Sequence, residues 1–212
     1  MPEARIELEM DDGVLDALVV CPETPGRKSP ILLLSAATEL VSTIATTARR
    51  LSAHNYFVLV PDLARLGAED SREAARACLD HFADERRVDD TRVGALGFGA
   101  GADLALSLAA ERSERVAAVA AYGGRGFSAR EALEITQKIN GLVRIGYAAG
   151  VLPRRAAVLE AALNLSGVLF DTEFCDGEPN WADLLDFFAR GLAAPLSDRP
   201  AAADPKDAPL NL

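Results

Sequence analysis

The sequence predicts one α/β domain, with a mostly parallel sheet of about eight strands and helices on both of its faces. Short apolar runs alternate with segments of helical length along most of the 212 residues, as in a parallel sheet with crossover helices. The first two runs are separated only by Asp11–Gly13, a spacing typical of an antiparallel hairpin. Later strands are separated by helix-length segments, as parallel connections require.

Eight strands and six helices follow from the apolar periodicity and from turn and capping residues. The predicted strands are Arg5–Glu9, Leu15–Val20, Ile31–Leu34, Phe57–Val60, Val93–Phe98, Val116–Tyr122, Leu142–Ala148 and Val168–Glu173. The predicted helices are Leu40–Ala53, Ser71–Phe82, Ala102–Arg112, Ala129–Ile139, Arg154–Leu165 and Trp181–Leu192. The segment between Pro61 and the helix at Ser71 is too short for a cap domain, so none is expected.

Composition and charge exclude several classes of partner. The chain has 22 Lys and Arg against 32 Asp and Glu, a formal net charge of -10, which repels nucleic acid and anionic membranes. The charged start MPEARIELEMDD does not fit a signal peptide, and no apolar run is long enough to span a bilayer, so a cytoplasmic protein is expected. Cys21, Cys78 and Cys175 are too widely spaced for a disulfide framework or a metal site.

The final residues differ in composition from the rest of the chain. Residues 195–212, PLSDRPAAADPKDAPLNL, contain four prolines and no apolar periodicity. We therefore expect a folded domain over residues 1–194 and a tail rich in Pro, Ala and Asp over residues 195–212.

One turn dominates the functional argument. The stretch RVGALGFGAGADLALSLAAE, Arg92–Glu111, joins an apolar strand to an alanine- and leucine-rich helix through Gly97, Gly99 and Gly101. Two unrelated sites are built on such a strand-to-helix turn: the nucleophile elbow of hydrolases and the phosphate-binding loop of dinucleotide-binding folds.

Three segments resemble the dienelactone hydrolase family of α/β-hydrolases. They are NYFVLVPDL (55–63), VDDTRVGALGFGAGADLAL (88–106) and VAAVAAYGG (116–124). The resemblance covers about Arg5 to Gly191 and implies an α/β-hydrolase fold without a cap. In that family the elbow is G-x-C-x-G or G-x-S-x-G, because the flanking positions lie too close to other backbone for side chains.

The resemblance places the catalytic triad at positions where this chain has no catalytic side chain. Gly99 stands in the place of the nucleophile, Ala149 in the place of the acid, and Pro179 in the place of the histidine. Nearby carboxylates that could replace the acid are Asp171, Asp176 and Glu178.

No residue can replace the base by a shift of alignment. The two histidines, His54 and His81, both precede the elbow, whereas the hydrolase order needs a histidine after it. Without nucleophile and base the proton transfer of acyl transfer is lost. We therefore expect a degenerate, non-hydrolytic member with no metal and no cofactor.

The resemblance also implies where a ligand would lie. The N–H of Ala100, at the start of the elbow helix, and one from Ala36 or Ala37 are expected to converge as an anion-binding pair. The side chains at the same edge of the sheet are Ser35, Glu39, Tyr122 and Trp181. We expect either a small carboxylate here or a protein partner, including a second copy, and the two aromatic residues are expected to plug part of the pocket.

The same glycines support a dinucleotide-binding alternative. Gly97, Gly99 and Ala102 fit the pattern G-x-G-x-x-A at the start of a helix. That fingerprint needs a carboxylate at the end of the next strand, where this chain has Tyr122 followed by Gly-Gly-Arg.

A third class is an enzyme that does not use the triad. A cyclase, isomerase, lyase, or atypical esterase or lactonase could act on a small carboxylate or lactone with Tyr122, Glu39 or Asp176 as acid or base.

Other polar side chains have structural interpretations. Asp62 is expected to accept a backbone hydrogen bond in the next turn, and Asp103 to stabilise the amino end of the elbow helix. Cys175 is expected to remain a thiol, since no histidine or lysine lies nearby in the sequence.

Overall fold

A computed structural model describes residues 2–11, 13–35, 41–148, 153–175 and 178–193. The strands are β1 (Glu3–Met10), β2 (Gly13–Val20), β3 (Pro30–Ser35), β4 (Phe57–Pro61), β5 (Val93–Phe98), β6 (Val116–Tyr122), β7 (Leu142–Ala148) and β8 (Phe170–Cys175). The helices are α1 (Val41–Ala53), α2 (Ala68–Asp84), α3 (Ala100–Glu111), α4 (Ala129–Thr136), α5 (Pro153–Leu165) and α6 (Trp181–Ala193).

All eight strands form one sheet in the order β1-β2-β4-β3-β5-β6-β7-β8. Strands β1 and β2 form an antiparallel hairpin in which Met10 lies opposite Gly13, and β2 also pairs antiparallel with β4. The six strands from β3 to β8 are parallel to one another. This is the α/β-hydrolase architecture that the sequence predicts, with the antiparallel hairpin at one edge.

Helices cover both faces of the sheet. Buried side chains of α2, α3, α4 and α5 pack on one face, and those of α1 and α6 pack on the other. Small residues bring α6 close to the centre of the sheet, because a Cβ at Gly191 would lie only 2.6 Å from the Ala118 Cβ. Because β3 to β8 are parallel, the carboxyl ends of these strands lie together at one end of the sheet, between the two helical layers.

Several predicted boundaries differ from the observed ones by one to three residues, and two of these differences have a clear physical cause. Helix α4 ends at Thr136 and not at Ile139, because the Lys138 and Ile139 N–H groups bond three residues back, to Ile135 and Thr136. Strand β8 begins at Phe170 and not at Val168. Val168 closes the end of α5 instead, where its N–H bonds to the Leu163 carbonyl and Gly167 has a φ of +64°, a Schellman arrangement.

Within the described ranges, no helix is both long and apolar enough to cross a membrane. The predicted tail, residues 195–212, lies outside the described residues, as do Ala36, Glu39, Ala149 and Asp176.

Candidate functional site

The glycine turn after β5 has the geometry of a nucleophile elbow. Gly99 has φ 58° and ψ −124°, a conformation that side-chain-bearing residues adopt only under strain. A Cβ at Gly97 would collide with the Gly101 carbonyl, and a Cβ at Gly101 would collide with the Leu34 carbonyl. A Cβ at Gly99 would instead meet no atom within 4 Å. The flanking glycines are therefore obligatory, whereas there is room for a side chain at Gly99.

Backbone hydrogen bonds fix this turn. The Gly99 N–H donates to the Tyr122 carbonyl at 2.9 Å, and the Gly99 carbonyl accepts from Ala102 N–H at 3.0 Å. Gly99 and Ala100 are both exposed, and Ala100 is the first residue of the twelve-residue helix α3. The Ala100 N–H thus lies at the positive end of a helix and in contact with solvent. Ser35 is half-buried beside it, as the β-sheet partner of Phe98.

The positions that the resemblance assigns to the acid and the histidine, Ala149 and Pro179, carry no titratable side chain. Pro179 is buried immediately before α6, and Ala149 lies outside the described residues. Glu178 is exposed. Asp171, a potential substitute for the acid, forms an ion pair with Arg144, in which Nε and Oδ1 are 2.7 Å apart.

Both histidines lie at the end of the sheet where the parallel strands begin, whereas Gly99 lies at the end where they finish. His54 follows α1 and precedes the amino end of β4, and its Nδ1 lies 2.9 Å from the Arg50 carbonyl oxygen. His81 is in the last turn of α2, which returns the chain to the amino end of β5. Since β4 and β5 are parallel to their neighbour β3, neither imidazole can reach the elbow without a rearrangement of the fold.

The Tyr122 side chain is buried and extends from β6 across β7 to β8. Its β7 neighbour is Gly146, and a Cβ there would collide with the tyrosine ring. The absence of a side chain at Gly146 lets the Tyr122 hydroxyl reach β8, where it donates to Glu173 Oε2 at 3.0 Å. Burial raises the pKa of Tyr122, and the nearby Glu173 carboxylate raises it further. Phe98 stacks on the ring, with centroids 5.6 Å apart.

Glu173 connects this tyrosine to α6. Its second oxygen accepts the Asn180 N–H at 2.5 Å, and the Asn180 side chain accepts the Ala182 N–H at 3.1 Å. Asn180 is therefore the N-cap of α6. Sequence analysis did not identify Glu173 or Asn180, although asparagine directly before an amphipathic helix is a recognised capping pattern.

Trp181 does not cover the elbow turn, since Gly99 and Ala100 remain exposed. The indole is half-buried, and the Arg50 guanidinium lies 4.2 Å from its ring centroid. This contact joins α1 to α6. Within the described part of the chain the buried Trp181 Nε1 has no hydrogen-bond partner.

Asp103 has a second role besides the predicted one. It does lie in the first turn of α3, but its carboxylate accepts the Arg125 N–H at 3.0 Å and the Gly126 N–H at 3.2 Å. It therefore holds the loop after β6 and does not serve the helix end alone. A carboxylate at this position also opposes a pyrophosphate at the start of α3, which disfavours the dinucleotide alternative.

Arg144 is a buried charge that the sequence analysis missed. It lies on β7 with 8% of its surface exposed, and its guanidinium is 5.7 Å from the Phe187 ring centroid. Burial lowers its pKa, but the partner Asp171 outweighs that effect and the net shift is upward. Within the described ranges Nη1 has no hydrogen-bond partner. In the sequence, the indication of this buried charge is the single arginine in the otherwise apolar run LVRIGYA.

The remaining predictions about polar residues have clear outcomes. Asp62 Oδ1 accepts the Ala64 N–H at 3.2 Å, which confirms its structural role. Cys21 and Cys78 are buried, and burial raises the pKa of both thiols. Cys175 Sγ lies 3.7 Å from the Tyr147 carbonyl oxygen. In the part of the chain that the structure describes, no group of His, Cys, Asp and Glu side chains could hold a metal ion.

Comparison with known proteins supports the fold described above. The model of the family described as the dienelactone hydrolase family matches residues 72–150, from α2 through the elbow to the end of β7. Among curated proteins the sequence has no match.

Several solved structures are similar to the whole described domain. A dienelactone hydrolase from Anabaena variabilis has a TM-score of 0.73 at 20% identity, covering 90% of this chain and 98% of its own. A dienelactone hydrolase-like promiscuous phosphotriesterase from metagenomic libraries has 0.75 at 17%, with coverages of 90% and 98%. An esterase from Pyrococcus furiosus has 0.73 at 12%, with coverages of 90% and 93%. At these identities the likeness establishes the α/β-hydrolase fold.

Proposed function

We propose that this chain is a degenerate member of the dienelactone hydrolase family that binds a small anionic ligand and does not hydrolyse esters. The observation that supports the proposal most strongly is Gly99. It occupies the position of the nucleophile, in the strained conformation that the nucleophile needs, with open space in front of it and no side chain. The turn has kept its shape without the group that performs the chemistry.

The position of the histidines supports the same conclusion. An activated serine or cysteine needs a base within hydrogen-bond reach, and both imidazoles lie at the amino edge of the sheet. Installing a nucleophile would therefore not restore a triad.

The ligand in this proposal is a small carboxylate at the amino end of α3. The exposed Ala100 N–H would donate to it, and the half-buried Ser35 lies on the neighbouring strand β3. The other residues expected at this site, Ala36 or Ala37 and Glu39, lie outside the described residues. The Asp103 carboxylate in the same turn reduces the attraction, so we expect weak binding, about millimolar.

The first test measures hydrolysis. We expect p-nitrophenyl acetate to be cleaved no faster in the presence of the protein than in the presence of its Cys175→Ala variant, since Cys175 is half-buried whereas the thiols of Cys21 and Cys78 are buried. We also expect Gly99→Ser to remain inactive, because no base is present. Rapid turnover that persists in Cys175→Ala would refute the non-hydrolytic assignment.

The second test measures binding at the helix end. Ala100→Pro removes one N–H at the first position of a helix, where proline is tolerated. Ala129→Pro is the matched control, since Ala129 is the first residue of α4. Isothermal titration with acetate and propionate should give heat with the native protein and the Ala129→Pro control, and much less with Ala100→Pro. Equal heats from both variants would exclude the α3 site.

Triad-independent catalysis receives less support. Tyr122 is buried, already donates to Glu173, and has a raised pKa, so it is a poor general base at neutral pH. The other side chains considered for that chemistry, Glu39 and Asp176, lie outside the described residues. A protein partner or a second copy remains the other form of binding that we propose, and native mass spectrometry of freshly purified protein would detect it.

A further inference from the structure

A second concave site lies two strands away from the elbow. A cavity of about 320 Å³ is bounded by α1 and by the ends of β1, β2 and β4, with Ser35 at its inner side. We call it the α1 cavity. In the sheet order, β4 and β2 lie on the far side of β3 from β5, so this cavity lies beside the space in front of Gly99, and Ser35 on β3 is next to both.

Charged side chains of both signs line the α1 cavity. Two of them neutralise each other: the Arg49 guanidinium donates to both oxygens of Glu3, with distances of 2.5 and 3.0 Å. The remaining charges in the lining are those of Arg5, Asp16 and Asp62.

Arg5 and Asp16 are opposite charges that do not meet. In the hairpin register Arg5 lies opposite Leu18, and Asp16 lies two residues away on the same face of β2. Such diagonal neighbours are within reach of an arginine side chain. Nevertheless, within the described ranges neither side chain has an ion-pair or hydrogen-bonding partner, so both head groups are available to a ligand.

Asp62 adds a second carboxylate beside Asp16. Its N–H donates to the Asp16 carbonyl at 2.8 Å, which holds the end of β4 against the start of β2. The Asp62 Oδ1 atom accepts the Ala64 N–H, and in the described part of the chain the second carboxylate oxygen of Asp62 accepts no hydrogen bond. Two carboxylates on neighbouring strand ends favour a cation between them.

We propose that the α1 cavity binds a small zwitterion, with its ammonium group at Asp16 and Asp62 and its carboxylate at Arg5. The apolar part of such a ligand would lie against Leu18, Ile44 and Val60, which also line the cavity. The volume is at the lower end of the range for small-molecule sites. This site takes a doubly charged ligand, whereas the α3 site takes a simple anion, and neither proposal depends on the other.

The test uses three probes with the same carbon chain: 5-aminopentanoate, pentylamine and pentanoate. By isothermal titration we expect 5-aminopentanoate to bind at least about tenfold more tightly than either singly charged probe, because each charge-assisted contact contributes separately. Equal affinity for all three probes would refute the assignment.

Two variants separate the two charges. Arg5→Gln should lower the affinity for 5-aminopentanoate by about tenfold and leave pentylamine binding unchanged. Asp16→Asn should lower the affinity for both amines and leave pentanoate binding unchanged. A loss of all binding in both variants, with unchanged melting temperature, would contradict this division of roles.

Two controls locate the site. Arg130→Gln removes one exposed guanidinium from α4 and should have no effect on 5-aminopentanoate binding. If Arg130→Gln weakened binding as much as Arg5→Gln, the effect would be one of net charge and the site would be refuted. Ala100→Pro should also leave 5-aminopentanoate binding intact, and its loss would move the ligand to the elbow.

Discussion

The elbow and the corner where β8 meets α6 stand at the same edge of the sheet but are built differently. The elbow is shaped by backbone contacts alone: Gly97 and Gly101 are packed against carbonyl groups, and Gly99 faces open space. The β8–α6 corner is shaped by side chains, with the Tyr122 hydroxyl and the Asn180 N–H both bound to Glu173. Backbone packing alone is therefore sufficient to fix the elbow turn, whereas the corner depends on hydrogen bonds that the side chain of Glu173 accepts from β6 and from the start of α6.

The largest effect should come from the elbow's flanking glycine. Gly97→Ala places a Cβ on the Gly101 carbonyl, and we expect it to lower the free energy of unfolding by about 3 kcal/mol. Gly99→Ala adds the same methyl group where space is free, so only the strain of a positive φ remains, about 1–2 kcal/mol. Urea denaturation of both variants measures the difference. Equal losses would mean that strain and not backbone contact dictates the turn.

The stability of the β8–α6 corner should depend on Gly146, which leaves room for the Tyr122 ring. In Gly146→Ala the new Cβ would collide with the Tyr122 ring and push the hydroxyl away from Glu173, at a cost of about 2 kcal/mol. Urea denaturation gives the cost, and near-ultraviolet circular dichroism should report the displaced tyrosine. A loss of stability with an unchanged near-ultraviolet spectrum would show that the position of the ring does not depend on Gly146.

Removing the tyrosine hydroxyl tests the corner without a steric change. Among the described residues, Tyr122→Phe leaves Glu173 bound only to Asn180, and the substitution should cost about 1 kcal/mol. The double variant Tyr122→Phe with Glu173→Gln measures the coupling between the two residues. A coupling near zero would show that the bond between them does not stabilise the corner.

The smallest effect is expected at the amino edge, far from both regions. Hydrogen bonding from Arg87 lowers the pKa of Glu85 to about 2. A lowered carboxyl pKa stabilises the fold above the ordinary value of 4.5, and this contribution is lost as the pH falls from there towards 2. Glu85→Gln should therefore cost less than about 1 kcal/mol at pH 7 and nothing near pH 2.

Guanidinium denaturation of wild type and Glu85→Gln across this pH range measures the change. Glu69→Gln, an exposed substitution in α2, controls for the loss of one negative charge. A difference between wild type and Glu85→Gln that stays constant with pH would exclude the Arg87 pairing as its cause.

Local patterns predicted the fold because each element has its own apolar period. The hairpin at Asp11–Gly13 and the six helices needed no knowledge of their neighbours. The end of α5 at Leu165 was predicted correctly, but the start of β8 was placed at Val168 despite a visible signal there, a glycine followed by an apolar residue at Gly167 and Val168.

The candidate site was less predictable. The glycine pattern of the elbow is local, so Gly97, Gly99 and Gly101 could be interpreted from the sequence. The contact from Tyr122 to Glu173 joins residues 51 positions apart and requires the strand order as well as an empty position at Gly146. The partners of Asp103 were missed for the same reason, since they lie in the loop after the next strand.

The open position at Gly99 also makes the chain easy to modify chemically. Because Cys21 and Cys78 are buried, a thiol introduced by Gly99→Cys in a Cys175→Ala background would be the most accessible one for a maleimide reagent. A fluorophore or spin label attached there would stand directly beside the start of α3. The bent backbone thus offers an attachment point from which the arrival of any small molecule at this edge can be observed.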